Sequence, residues 1–159
     1  MSDSLAIYLH DHYAGSHFAV ELLHSLEEQY SAEPLGDFAH RICQEIEQDQ
    51  HTLQHIIDTV GKTHLDAAEA LGWLSEKVGQ FKLQRGRGGG LGSFQALETL
   101  ALGIQGKLSL WRALPNIRQF DGRIPEIDFA ALQARAQTQY EQVEDQRLQL
   151  AAEAFRRAV

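Results

Sequence analysis

The sequence predicts an all-α four-helix bundle. Ala, Leu, Gln and Glu crowd a chain of 159 residues that has only three prolines, a composition that favours helix. With residues placed 100° apart on a helical wheel, the apolar ones of four long segments gather on one side of each. The second and third of these segments are separated by about thirty residues, more than a simple up-down-up-down bundle needs. A hydrophobic fraction of 43% and a charged fraction of 23% are those of a globular chain, and the length suits one domain over residues 1–159.

The first helix is expected over residues 5–30. Leu5, Tyr8, Leu9, Ala19, Leu22, Leu23, Leu26 and Tyr30 form one stripe, with His12, Gly15 and Ser16 inside it. Its opposite face carries His10, His17, Glu21, His24 and Glu28. Residues 31–36, with Pro34 among them, form a short break, and a short connection makes the next helix an antiparallel neighbour. That helix buries Phe38, Ala39, Ile42, Ile46, Leu53, Ile56, Ile57 and Val60 and stops at Gly61, with Asp49 and Gln50 on its apolar side. A shorter helix is expected over 65–83, ended by the glycine-rich run 86–92. The third long helix, capped by Ser93, turns Phe94, Leu97, Ala101, Ile104, Leu108 and Trp111 inward. Residues 115–125 read as a loop with a turn at Asp121–Gly122. Asp128 then caps a last helix whose inner side is Phe129, Leu132, Ala136, Tyr140, Val143, Leu150 and Ala154.

Two antiparallel helices, a crossover of about residues 62–92 with its own short helix, and two further helices resemble the ferritin-like superfamily. The resemblance covers nearly the whole chain and rests on architecture. It implies a di-iron or di-manganese centre, built from a Glu on each of two helices and a Glu-x-x-His pair on each of the other two. This chain departs from that pattern in every helix. The inward mid-positions of the first are His12, Ser16 and Ala19, and Glu21 faces outward. In the second, the run Glu45-Ile-Glu47-Gln-Asp49-Gln-His51 has Gln48 where the His would stand. The third offers Glu98 at the edge of its stripe. The fourth has Glu144 followed by Arg147, and arginine keeps its proton and cannot ligate a metal.

The inward polar residues therefore suggest a buried network in place of the metal pair. Pairing the first two helices about their short loop sets Ser16 level with Asp49 and His12 one turn away. An Asp49–Arg147 ion pair, supported by His12, Ser16, Gln50, Glu98 or Gln105, is the expected arrangement, since a buried charge is tolerated only when paired. The alternative is a degraded but working iron or manganese centre using His12, Asp49, Glu98 and Glu144, in a metal-dependent oxidoreductase of oxidative-stress defence or metal handling.

Other signals are weaker. His10, His17, Glu21 and His24, with Glu47, His51 and His55 on the neighbouring helix, share ligand spacing for Zn²⁺ or Ni²⁺. A solvated face or a homodimer contact explains them more simply. The glycine run lacks the ending of a nucleotide loop and reads as a linker. Cys43, the single cysteine, permits no intrachain disulfide and reads as an inert buried thiol. A net charge of −8 argues against nucleic acid as a partner. The absence of a long apolar run argues against a membrane span, and a cytoplasmic location is expected. With Met1 the only methionine, methionine-ligated haem is excluded. The reading that follows is a non-catalytic, ferritin-like helical protein without a cofactor, expected to act as a homodimer or with a protein partner.

Overall fold

The computed structural model describes residues 3–61, 76 and 90–157. The short helix expected over 65–83 lies outside them. Four long helices make up the rest: α1 (Ser4–Gln29), α2 (Pro34–Val60), α3 (Leu91–Arg118) and α4 (Phe129–Phe155). Each is about 40 Å long at 1.5 Å per residue.

Local chemistry sets most of the helix ends. The Asp3 carboxylate caps α1 by accepting from the Ala6 amide at 3.2 Å, and Asp128 caps α4 by accepting from Ala131 at 3.0 Å. Pro34 opens α2, where its missing N–H is no loss. Gly61 closes that helix with a φ of 114°. In the α1–α2 turn the backbone passes so close that a Cβ on Gly36 would lie 2.2 Å from the Tyr30 carbonyl oxygen.

Two expectations about α3 are corrected. Gly90, with a φ of 75°, stands at its N-cap, whereas Ser93 is buried one turn inside and accepts a 2.7 Å hydrogen bond from the Tyr30 hydroxyl. The helix also continues through Pro115 to Arg118 rather than giving way to a loop at 115. Proline has no N–H for the Trp111 carbonyl four residues back, a loss that normally breaks a helix. Here Gln133 of α4 donates to that carbonyl at 3.0 Å, so the orphaned acceptor is satisfied from outside the helix.

Cross-helix contacts give the directions. The Tyr30–Ser93 bond joins the end of α1 to the start of α3, so these two are antiparallel. At the other end Arg123 binds Asp3 and the Val60 carbonyl, which brings together the start of α1, the end of α2 and the loop after α3. Arg135 near the start of α4 reaches Asp49 in the later half of α2, so that pair is antiparallel too. The order is up, down, down, up. Gly61 and Gly90 consequently lie at opposite ends of the bundle. α1 packs against α2, α3 against α4, and α1 against α3.

The core between the helices is apolar, with Leu9, Leu23, Leu26, Ile42, Ile56, Leu97, Leu114 and Val143 fully enclosed. Each such side chain contributes about 1.5–3 kcal/mol relative to exposure. All eight inward residues expected for α2 are buried. Among the described residues, no helix is long and apolar enough to cross a membrane.

Candidate functional site

At mid-height the apolar core is interrupted by charge. Asp49 of α2 is only 3% exposed. Its Oδ2 accepts from the Lys107 ammonium of α3 at 2.6 Å, and its Oδ1 accepts from the Arg135 guanidinium of α4, with Nε at 3.1 Å. Arg135 also donates to the Gln48 side chain at 3.0 Å and to the Glu45 carbonyl at 3.2 Å. Gln139, fully buried, accepts from Lys107 at 2.5 Å and donates to the Glu45 carboxylate at 3.0 Å. Glu45 in turn meets Arg41 at 3.3 Å. Three helices thus contribute to one chain of charge-assisted bonds in which both oxygens of the central carboxylate are held by cations. Burial pulls the Lys107 ammonium below its ordinary value, while the adjacent Asp49 opposes that shift.

Beside this network lies a half-open cavity of about 290 Å³ between α1, α2 and α3. Three of its lining residues are helical glycines, Gly15, Gly103 and Gly106, and an added Cβ at any of them would meet nothing within 4 Å. The missing side chains are what leave the space. Ile46, Leu53 and Leu110 make its walls apolar, while Asp49 and Lys107 form its charged edge. Ser16 accepts a 2.9 Å bond from Gln50, and both line the cavity with His12. Burial lowers the His12 pKa, with Asp11 pulling the other way, so the ring is neutral at neutral pH. Trp111 also lines the cavity; its indole Nε1 is buried and has no hydrogen-bond partner among the described residues. Such a donor is costly to leave unmet.

The structure brings together some of the expected site residues and separates others. His12, Ser16, Asp49 and Gln50 meet around the cavity. Arg147 does not reach Asp49. It binds Glu144 at 2.7 Å and Glu98 at 3.6 Å, and its guanidinium lies 5.0 Å from the centre of the Phe94 ring. Register explains the difference. Asp49 faces Arg135, Glu45 faces Gln139 and Arg41 faces Gln142, which leaves Arg147 about 18 Å further along α4 than Arg135. Gln105 is half-buried and outside the cavity lining; its carbonyl accepts from Ser109. The four alternative ligands are divided the same way, with Glu98 and Glu144 on Arg147 and Asp49 on Lys107 and Arg135. They form no ligand cluster among the described residues.

Lys107, Arg135 and Gln139 are the residues that sequence reasoning missed. A signal was present. Lys107 follows Ile104 by three residues and Arg135 follows Leu132 by three, which sets each about 60° from its apolar stripe. Long cationic side chains can bridge that angle and still reach inward.

Comparison with known protein families, characterised proteins and solved structures gives no match, so the functional reading rests on the chain's own residues.

Proposed function

We propose that this chain is a non-catalytic binding bundle of the ferritin-like arrangement, with a buried ion-pair network standing where di-metal members of that superfamily hold their ions. The cavity beside the network takes a small, mostly apolar molecule with one hydrogen-bond-accepting end. The observation that carries this reading is the clamping of Asp49 between Lys107 and Arg135. A divalent ion placed there would compete with two cations for the same carboxylate, and the neighbouring Glu45 carboxylate is already engaged by Gln139 and Arg41. The up-down-down-up order supports the ferritin-like likeness, since one crossover along the bundle is that superfamily's arrangement.

The cavity supports the binding role. Its volume is near the lower end of small-molecule sites, and its apolar walls and few polar groups match their composition. The Lys107 ammonium has three N–H groups and uses two of them on Asp49 and Gln139.

Octanoate, with an apolar chain and an accepting head, is a suitable probe for calorimetry beside Gly103→Leu, which fills open space. Saturable binding to the wild type, lost in the variant while helicity is retained, is the expected result. No binding, or equal binding by both proteins, would reject the cavity as a ligand site. A homodimer through the outer faces of α1 and α2 belongs to the same reading. Sedimentation at several concentrations tests it, and a concentration-independent monomer would remove it.

A further inference from the structure

The outer side of the α1–α2 pair carries a second group of chemistry-bearing side chains, separate from the central network. His24 projects from α1, and Cys43 and Glu47 lie four residues apart on α2, which sets the latter two on one face. One ligand atom from each of the three lies within 4.8 Å of the others, and the His24 Nε2 to Glu47 Oε1 distance is 3.9 Å. We infer that His24, Cys43 and Glu47 form a binding site for a four-coordinate divalent transition-metal ion, Zn²⁺ by preference, with a water as fourth ligand.

Three features support this. Zinc bonds of roughly 2.0–2.3 Å set tetrahedral ligand atoms roughly 3.3–3.7 Å apart, so a side-chain rotation of about 1 Å closes the group on an ion. The donor set is one thiolate, one imidazole and one carboxylate, which zinc accepts and which the hard ions Mg²⁺ and Ca²⁺ do not favour. Charge also closes: a thiolate and a carboxylate balance a divalent cation, and the thiol proton leaves to solvent as the sulfur–metal bond forms. Access is open on one side, because the His24 and Glu47 side chains are 48% and 42% exposed, while the sulfur beneath them is buried.

The surroundings favour a cation. Burial first, and then Glu47, Glu27 and Glu21, push the Cys43 thiol up to about 12. A sulfur in that field is inert towards electrophiles without a metal and becomes a ligand only when a metal replaces its proton. Glu27 is itself held by His40 at 2.8 Å, which keeps one of these carboxylates in place beside the group. A metal here would join α1 to α2 at the bundle surface, and its open position leaves room for a substrate or partner ligand. The site is independent of the central ion network.

Anaerobic titration of the full chain with Co²⁺ tests the assignment, because a cysteine thiolate gives a sulfur-to-cobalt charge-transfer absorption and four-coordination gives intense visible bands. The expected result is one Co²⁺ per chain with both signatures, displaced by one equivalent of Zn²⁺. Cys43→Ser should lose the charge-transfer band. The half-exposed variants His24→Ala and Glu47→Gln, which leave the core intact, should each weaken Co²⁺ binding by about tenfold or more while circular dichroism stays unchanged. Absence of the charge-transfer band in the wild type would overturn the inference. So would stoichiometric binding that survives His24→Ala and Glu47→Gln, since the ion would then sit elsewhere.

Discussion

Replacing Asp49 by Asn tests the central network most sharply among single substitutions. The carboxylate is 3% exposed and holds Lys107 at 2.6 Å and Arg135 through two donors. Its removal leaves two cations facing a neutral amide. Breaking a buried pair by deleting one partner costs about 3–5 kcal/mol, because the other charge is left uncompensated. Arg135 keeps its bonds to Gln48 and the Glu45 carbonyl and is 31% exposed, so it can turn towards water. Lys107 is 15% exposed and has fewer alternatives. The expected loss is accordingly at the low end, about 3 kcal/mol, or about 6–12 °C in Tm for a chain of this length.

The same variant should show a characteristic pH dependence. Burial already lowers the Lys107 pKa, and Asp49 is the largest influence holding it up, with Glu45 helping and Arg135 opposing. Without Asp49 it falls further. A lysine that titrates below its unfolded value leaves the unfolded chain binding more protons across that interval, so stability rises with pH there. The deficit of Asp49→Asn should therefore shrink as pH is raised from about 7 towards about 9, below the ordinary lysine range. Urea unfolding at both pH values measures this. Pairing Asp49→Leu with Lys107→Met should restore stability to within about 1 kcal/mol of the wild type, since well-packed apolar residues can replace a buried pair. A loss below about 0.5 kcal/mol for Asp49→Asn, flat with pH, would refute the reasoning.

Further predictions concern the frame that holds this centre. Gln133→Leu leaves the Trp111 carbonyl without a donor and should cost about 1–3 kcal/mol. Adding Pro115→Ala returns the intrahelical N–H, so a double-mutant cycle should show recovery; strict additivity would contradict the account of α3. Gly36→Ala puts a methyl 2.2 Å from the Tyr30 carbonyl oxygen and should destabilise by about 1–3 kcal/mol by overpacking, with thermal unfolding as the check. Arg123 holds the Asp3 and Asp121 carboxyls below the usual carboxylate range by hydrogen bonding. Such groups contribute stability that is present above their unfolded values and lost as pH falls through the depressed ones. Arg123→Ala should thus be less stable than the wild type at neutral pH, and the gap should close in acid; a gap that widens in acid would contradict the end clamp.

The fold was legible because four segments carry their apolar residues on one side, and in α2 all eight residues of that stripe are buried, with Leu35, Gly36 and Cys43 buried beside them. Caps at Asp128 and Gly61 were equally readable from local chemistry. The level of Ser16 with Asp49 could also be read, because a short loop fixes the register of α1 against α2; the two line one cavity, and Ser16 bonds the adjacent Gln50. The register of α4 against α2 could not. A crossover of about thirty residues carries no length constraint tight enough to set it, so the helical pattern alone favours Arg147 as the partner of Asp49, where Arg135 stands. The continuation of α3 through Pro115 was hidden for a related reason: the donor that rescues the Trp111 carbonyl sits on another helix. The cavity depends on where three glycines from two helices converge, a tertiary fact that no single helical wheel contains.

The most direct test of the central claim is the amount of metal retained per chain after anaerobic incubation with Fe²⁺ or Mn²⁺ and desalting. It should be made in a Cys43→Ser background, to remove the outer ligand group, with and without Asp49→Ala. An ion-pair network at the bundle centre predicts no retained ion in either protein, with Asp49→Ala simply less stable. About two ions per chain, lost on Asp49→Ala, would contradict the account and restore a di-metal centre.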